Sequence, residues 1–155
     1  YALAEQGWEV EHTTPFLARH LESLKPRLTK PLDLKVAYHD NCCLGRGMGC
    51  YDEPRELLGA IPGVKLVEMA HNRANSLCCG GGGGGMWLDT YYKSKGMDRL
   101  SERRVKEAVA AGADVLAVSC PLELFRFEDA VKTLGHDKQL VVRDVVELLA
   151  ESLEG

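Results

Sequence analysis

Short apolar runs alternate with amphipathic stretches along most of this chain. Four of the runs have the length and composition of β-strands, and they lie at residues 34–38, 64–69, 114–118 and 139–142. Around and between them, apolar side chains recur in steps of three and four residues, which is the period of a helix. The helices predicted in this way cover residues 52–61, 86–95, 98–111, 121–134 and 144–153.

The start of the chain has weaker patterning. Residues 1–6 have the composition of a helix end that is stopped by Gly7, and residues 9–12 are predicted as a short strand. Thr14 followed by Pro15 is a typical N-cap and first-turn pair, which predicts that an amphipathic helix begins there.

Strands that alternate with helices are typical of one fold class. They predict an α/β domain with three layers, similar to a Rossmann fold, around a mostly parallel sheet of four to five strands. The run Val-Leu-Ala-Val at residues 115–118 is apolar on both faces and is expected at the centre of the sheet. At 155 residues the chain has the size of a single domain, 1–155. Because it begins at Tyr1 without a Met, we expect it to be the C-terminal part of a longer polypeptide.

The charge balance excludes some partners. The chain has 19 Lys and Arg against 23 Asp and Glu, and it contains no basic block of the kind that binds nucleic acid. No apolar run approaches the roughly 20 residues that a membrane-spanning helix needs, and no signal peptide is visible. These features predict a cytoplasmic protein, with association to a membrane through partner subunits as the alternative.

Residues 76–87 form the least ordinary stretch of the chain. They read Ser-Leu-Cys-Cys, six consecutive glycines, then Met-Trp, so that Cys78 and Cys79 lie side by side before the glycines. Six glycines lose too much conformational entropy to favour a regular helix or strand. Adjacent cysteines can bridge each other only with strain. Two thiols beside a backbone without side chains therefore favour two ligands that face a bulky inorganic centre.

Other cysteines lie where they can join this pair. Cys42 and Cys43 follow the first predicted strand, and Cys120 follows the third. Because loops at the carboxyl ends of parallel strands build the sites of α/β proteins, we expect these thiols to meet Cys78 and Cys79 at one edge of the sheet. Cys120 also lies at a predicted helix N-terminus, where the helix dipole favours the thiolate that a metal binds.

The glycines have two possible roles. Gly80, Gly81 and Gly82 allow close approach of the backbone to a bound cofactor, and their N–H groups can donate to cluster sulfides. The run also contains the Gly-x-Gly-x-x-Gly spacing of dinucleotide sites, but any polyglycine does, and the expected acidic residue on a following strand is missing. The sequence favours the first role.

Several alternatives stay open at this point. Four thiolates would also suit zinc, although the chain has no short Cys-x-x-Cys pair. Six cysteines could form three disulfides in a secreted protein, but two adjacent pairs and the absence of a signal favour reduced thiols. Cys50 is expected to be structural or incidental. His39 is a candidate ligand or proton donor, and the sequence favours a satisfied histidine at a strand end.

Taken together, the motifs resemble the cysteine-rich CCG domain found in the B and D subunits of heterodisulfide reductase and in related iron–sulfur oxidoreductases, among them the iron–sulfur component of glycolate oxidase. The resemblance is carried by five segments in order: His39-Asp-Asn-Cys42-Cys-Leu-Gly-Arg46, Tyr51-Asp-Glu-Pro-Arg-Glu-Leu-Leu58, Ile61-Pro-Gly63, Cys78-Cys-Gly80 and Cys120-Pro121.

The resemblance implies a cofactor and a function. It implies that Cys42, Cys78, Cys79 and Cys120 hold an iron–sulfur cluster, of the four-iron four-sulfur type and noncubane as in heterodisulfide reductase. It further implies an oxidoreductase component that passes electrons between redox partners, ferredoxin-like or flavoprotein, and a disulfide, quinone or organic-acid couple. A zinc-binding or metal-free docking module of a multisubunit complex is the alternative.

Two departures from the family pattern bear on the ligand set. The family's last motif is usually Cys-Pro-x-Cys, whereas this chain has Glu123 in place of the final cysteine. Glu123 is therefore a candidate oxygen ligand, or it leaves that iron open to substrate. The alternative is a first-turn acid that stabilises the helix dipole. Cys43 is an added thiol that could replace the missing one.

Overall fold

A computed structural model describes residues 5–153 of the chain. The helices are α1 (Thr13–Arg19), α2 (Leu21–Leu24), α3 (Glu53–Ala60), α4 (Asp89–Ser94), α5 (Leu100–Ala110), α6 (Pro121–Leu134) and α7 (Val145–Ser152). The strands are β1 (Lys35–Tyr38), β2 (Lys65–Val67), β3 (Val115–Val118) and β4 (Val141–Asp144). Short 3-10 segments lie at Lys25–Arg27, Arg73–Asn75 and Gly82–Leu88, and a π-helical turn covers Cys43–Gly47.

The four strands form one sheet in the order β2-β1-β3-β4, and every neighbouring pair is parallel. This arrangement confirms the predicted α/β class and parallel sheet. β3 lies between β1 and β4, as its apolar composition predicts, because a strand covered on both faces has no solvent-facing side.

Helices cover both faces of the sheet. Alternate residues of β1 enter separate cores: Val36 and Tyr38 lie in one and Ala37 in the other. The first core also contains side chains of α1, α3 and α7, and the second contains side chains of α5 and α6. The period of two along a strand therefore produces the three predicted layers.

The strand order fixes where a site can form. After β1 the chain crosses to α3 on one face, and after β3 it crosses to α6 on the opposite face. The two adjacent strands therefore send their loops in opposite directions and leave a crevice at their carboxyl ends. Cys42 follows β1 and Cys120 follows β3, so both stand at this switch point.

The prediction of a strand at residues 9–12 is wrong. Val10 is exposed, and the ring of His12 caps α1, with Nδ1 accepting the N–H of Thr14 at 3.1 Å. The N-cap is therefore His12 and not Thr14, whose side chain is buried. A strand also needs a paired neighbour, and within residues 5–153 this segment has none. The helix end predicted over residues 1–6 falls mostly outside the described residues.

Two glycine-rich segments also differ from the predictions. The helix predicted over residues 86–95 is α-helical only at Asp89–Ser94, and a 3-10 segment, Gly82–Leu88, precedes it with left-handed backbone at Gly83 and Gly84. The stretch after Cys42, for which no helix was predicted, forms the π-helical turn. Among the described residues no helix is both long and apolar enough to traverse a bilayer.

Candidate metal centre

The predicted thiols lie at the carboxyl edge of the sheet and differ in exposure. Cys79 is buried at 6% exposure, and Cys78 and Cys120 are half-buried. Cys42 and Cys43 are exposed at the start of the π-helical turn. The site is therefore open on the side of the β1 loop and closed on the side of Cys79.

Cys79 lies within the electrostatic reach of three other site residues. Burial raises the pKa of its thiol to about 11, and the N–H of Gly81, which donates to Sγ at 3.4 Å, opposes that shift. Negative charge on Glu123, Cys78 or Cys42 raises the pKa further. A bound metal cation would replace the thiol proton of Cys79, because its positive charge offsets the cost of burying a thiolate and the repulsion from the neighbouring negative charges.

Cys42 is influenced by some of the same residues as Cys79. Burial raises the pKa of its thiol, and Cys43, Glu123 and Cys78 raise it further. Cys42, Cys78, Cys79 and Glu123 thus lie close enough to influence one another, and Cys43 interacts with Cys42. Cys120, the sixth predicted metal-site residue, is the N-cap of α6, and its carbonyl accepts the N–H of Glu123 at 3.0 Å.

Cys50 lies elsewhere. Its thiol donates to the carbonyl of Met48 at 3.8 Å, and burial and the carboxylates of Glu53 and Glu11 raise its pKa. None of the predicted ligands is among these neighbours.

Glu123 is a buried carboxylate in the first turn of α6. Its side chain is 2% exposed, and Oε1 accepts a hydrogen bond from Nδ2 of Asn41 at 2.8 Å. Nε2 of His39 lies 3.4 Å from the same oxygen. Together with Cys79, these two residues form a group whose ligand atoms lie within 4.8 Å of one another. Thiol, imidazole and carboxylate donors at this spacing fit a transition metal.

The sequence did not predict the support behind this group. Arg104 of α5 is fully buried, and its Nε donates to Nδ1 of His39 at 3.1 Å. One terminal nitrogen donates to the carbonyl of His71 at 2.7 Å and pairs with Glu107. In the sequence Arg104 is one more charge in an amphipathic helix, and no local pattern separates it from its neighbours. The position of His39 close before Cys42 was the only available signal.

A second buried arginine fixes the loop that carries Cys42. Arg55 of α3 donates to both carboxylate oxygens of Asp40, at 2.7 and 3.0 Å, and to both oxygens of Glu68, at 2.7 and 2.9 Å. The backbone N–H of Arg73 donates to Asp40 as well. Burial alone would raise the pKa of Asp40, but these hydrogen bonds hold it below its usual value. The loops after β1 and β2 are thereby tied to one helix.

The first glycines of the run pack against the protein itself. Gly80 has φ of 77°, and a Cβ there would lie 3.1 Å from Cβ of Leu100. A Cβ at Gly81 would lie 2.9 Å from Cδ2 of Leu122, whereas Gly82 has open space. The N–H of Gly80 also donates to Sγ of Cys78 at 3.3 Å. Contact of Gly80, Gly81 and Gly82 with a cofactor stays a prediction.

We expect Gly80→Ala to destabilise the fold far more than Gly82→Ala. The first change places a Cβ on a left-handed backbone and against Leu100, which costs about 1–3 kcal/mol. The second change adds a methyl group to open space and removes chain entropy from the unfolded state, so it should shift stability by less than about 1 kcal/mol. Urea denaturation of both variants measures the difference. Equal losses would show that the loop does not hold the conformation described.

Comparison with known proteins identifies a family for this chain. The model of a family described as the CCG cysteine-rich domain matches residues 36–122, which is more than half of the chain. A probable iron-sulfur-binding oxidoreductase, FadF, from Bacillus subtilis (strain 168) is 41% identical over 95% of this chain and 20% of its own length.

Two other relatives cover nearly the same residues. The D subunit of dihydromethanophenazine:CoB–CoM heterodisulfide reductase from Methanosarcina barkeri (strain Fusaro / DSM 804) is 39% identical over 96% of this chain and 35% of its own. An EtfAB:quinone oxidoreductase from Syntrophomonas wolfei subsp. wolfei (strain DSM 2245B / Goettingen) is 34% identical over 96% of this chain and 21% of its own length. The chain thus spans about a fifth to a third of the length of these relatives. The match over residues 36–122 includes both cysteine pairs, Cys120 and the crevice between β1 and β3, and the chain belongs to the CCG cysteine-rich domain family.

Proposed function

We propose that this chain is the cluster-binding domain of an iron–sulfur oxidoreductase and transfers electrons between partner redox centres and a disulfide, quinone or organic-acid couple. The observation that carries the proposal is that Cys79 and Glu123 lie together at the switch point of the sheet, and that Asn41 joins Glu123 to the turn that begins with Cys42 and Cys43. The relatives named as oxidoreductases or reductase subunits support the same function.

Each site residue has a proposed role. Cys42, Cys78, Cys79 and Cys120 hold the cluster as thiolates, and Cys43 and Glu123 are further candidate ligands. The donor set fits, because soft thiolates are the ligands that iron–sulfur clusters take. A four-iron four-sulfur cluster, noncubane in type, supplies one-electron transfer when bound.

The surrounding backbone would set the properties of the site. Gly80 and Gly81 already donate their N–H groups to the sulfurs of Cys78 and Cys79. Hydrogen bonds to ligand sulfur stabilise the more negative, reduced state and raise the reduction potential. Burial of Cys79 excludes water from one side, while the exposed Cys42 and Cys43 leave an approach for a substrate or partner.

The length of the relatives supports a larger assembly. We propose that the chain is one domain of a longer polypeptide, its C-terminal part, and that its partners are ferredoxin-like or flavoprotein subunits or domains. A cytoplasmic location, with attachment to a membrane through those partners, fits this arrangement. Tagging the full-length protein and identifying what co-purifies would test it.

A zinc-binding docking module is the second candidate. The observation in its favour is the group of His39, Cys79 and Glu123, because zinc takes nitrogen, sulfur and oxygen ligands at such spacing. In that case the metal would hold the crevice closed as a rigid surface for another protein, without redox chemistry.

Anaerobic reconstitution of the full-length protein with iron and sulfide distinguishes the iron–sulfur domain from the zinc-binding docking module. Iron–sulfur binding by this domain predicts about four iron and four sulfide per domain, a brown colour and an electron paramagnetic resonance signal on reduction. Because other domains could also carry clusters, the amount is compared with that of a variant in which Cys78 and Cys79 are both serine. Equal iron in the two proteins, with zinc retained by the parent alone, would establish the second candidate instead.

A further inference from the structure

We propose that Glu123 binds one iron of the cluster through Oε2, and that Asn41, His39 and Arg104 orient its carboxylate for that purpose. The inference rests on the proposed function and deepens it. It assigns an oxygen ligand within a set of thiolates, and it assigns a positioning role to three residues for which the sequence indicated none.

The two oxygens of Glu123 have unequal surroundings. Oε1 accepts from Nδ2 of Asn41 at 2.8 Å and faces Nε2 of His39 at 3.4 Å. Oε2 is buried, and within residues 5–153 it has no hydrogen-bond partner. Buried polar atoms are normally paired, because an unpaired one loses its hydration without replacement. One oxygen is thus held by the amide of Asn41, and the other is available to a ligand.

The proton positions around His39 follow from Arg104. Nε of an arginine can only donate, so Nδ1 of His39, 3.1 Å away, is the acceptor. The ring proton therefore lies on Nε2, which faces Oε1 of Glu123. The ring of Phe127 packs edge-on against the ring of His39, with the two ring centroids 4.7 Å apart, and limits its rotation. Helix α5 thereby orients a side chain on α6 through the histidine at the end of β1.

Asn41 completes the orientation from the thiol side. Its Oδ1 accepts the N–H groups of Cys43 and Leu44, at 2.8 and 3.0 Å, while its Nδ2 holds Glu123. One side chain thus fixes both the turn that carries the first cysteine pair and the carboxylate. A residue with only a structural role in the first turn of α6 would not need this link.

The charges in the group favour a cation among them. Ligand atoms of Glu123, His39 and Cys79 lie within 4.8 Å of one another. A carboxylate beside several thiolates repels them unless a positive ion lies between. Carboxylate oxygen is a harder ligand than thiolate, so the iron that it binds should differ from the others in its electronic structure.

Mössbauer spectra of the reconstituted full-length protein test this directly. We expect one iron component with a larger isomer shift in the parent protein, and we expect Glu123→Gln and Glu123→Cys to remove it. Cluster-bound iron should persist in Glu123→Cys, since a thiolate replaces the oxygen. Glu128→Gln, a change on the same helix, is the matched control and should leave the component unchanged. Circular dichroism before reconstitution confirms that each variant folds.

The positioning role needs its own comparison. His39→Leu removes the ring nitrogen that lies 3.4 Å from Oε1, and we expect about 10- to 100-fold weaker retention of the distinct iron against a chelator, the usual effect of losing a polar partner of a metal ligand. His39→Gln can still donate an N–H and should restore most of that retention. Equal behaviour of the two variants would overturn the role of His39.

The possible results separate this inference from the proposed function. If the parent and Glu123→Cys give the same spectra and the same iron content, Glu123 is a structural acid and the inference fails, while the cluster assignment stands. If the parent binds no more iron than the variant lacking Cys78 and Cys79, both fail together. Loss of the distinct component in both Glu123 variants and its persistence in Glu128→Gln would support the inference.

Discussion

Replacement of Cys79 by serine is expected to abolish stable cluster binding by this domain. Cys79 is the most buried thiol of the site, and its Sγ lies within 4.8 Å of ligand atoms of His39 and Glu123. Serine keeps the size of the side chain and can still accept the N–H of Gly81, but it is a poor ligand for iron. Iron retention against a chelator should fall by at least about 100-fold. Loss of a residue that only hydrogen-bonds a metal ligand costs up to about 100-fold, and loss of the ligand itself should cost no less.

Cys50→Ser provides the matched control for that measurement. The change is chemically identical, but the neighbours of Cys50 are Met48, Glu53 and Glu11. Its iron and sulfide content should equal that of the parent protein, and both variants should give the parent's circular dichroism spectrum. Similar losses of iron in the two variants would place the cluster elsewhere or would indicate unspecific binding to thiols.

Arg55→Leu is expected to cost about 3–5 kcal/mol of folding stability, the usual result of removing one partner from a buried ion pair. The side chain of Asp40 is 1% exposed and would remain in the protein interior without its cation. Glu68 is partly exposed and would regain hydration, so most of the loss comes from Asp40. Chemical denaturation at neutral pH measures the effect.

The pH dependence of that loss has a definite sign. The pKa of Asp40 in the folded parent lies below its ordinary value of 3.8, so its contribution is present above about pH 4 and declines as the pH falls further. In Arg55→Leu the N–H of Arg73 still donates to Asp40, but burial is the larger influence and is expected to raise the pKa of Asp40, so acidification relieves the unpaired charge. The stability difference between parent and variant should therefore shrink as the pH falls from 7 toward 4.

Arg19→Leu is the control for the same substitution at the surface. Arg19 pairs with Glu11, but its side chain is 65% exposed, and an exposed ion pair contributes little. Its effect should stay below about 1 kcal/mol. If both arginine variants lose the same stability, the loss comes from the leucine and not from the buried carboxylate.

Much of the fold could be predicted because its signals are local. The apolar runs and helical periods identified β1 to β4, α3 and α5 to α7. The run at residues 115–118 was correctly placed inside the sheet, since only a doubly covered strand is apolar on both faces. The predictions are wrong where a tertiary contact decides the secondary structure. Residues 9–12 have strand-like composition but no neighbouring strand among the described residues, and His12 caps a helix instead.

The candidate site also contains residues with a local sequence signal and residues without one. Candidate ligands with a sequence signature could be predicted, namely the two cysteine pairs, the glycines and Glu123, because cofactor ligands must be particular residue types at particular strand ends. The supporting arginines were not found. Arg55 and Arg104 have the same appearance in the sequence as surface charges, and only burial gives them a different role.

The sequence by itself determined the fold class, the family and the thiols that the site offers, because hydrophobic period and ligand identity are properties of short segments. Only the tertiary structure decided which oxygen of Glu123 is held and which is free, which nitrogen of His39 bears the proton, and which charges are buried. These properties depend on side chains up to 82 residues apart in the sequence, and no local pattern records that distance.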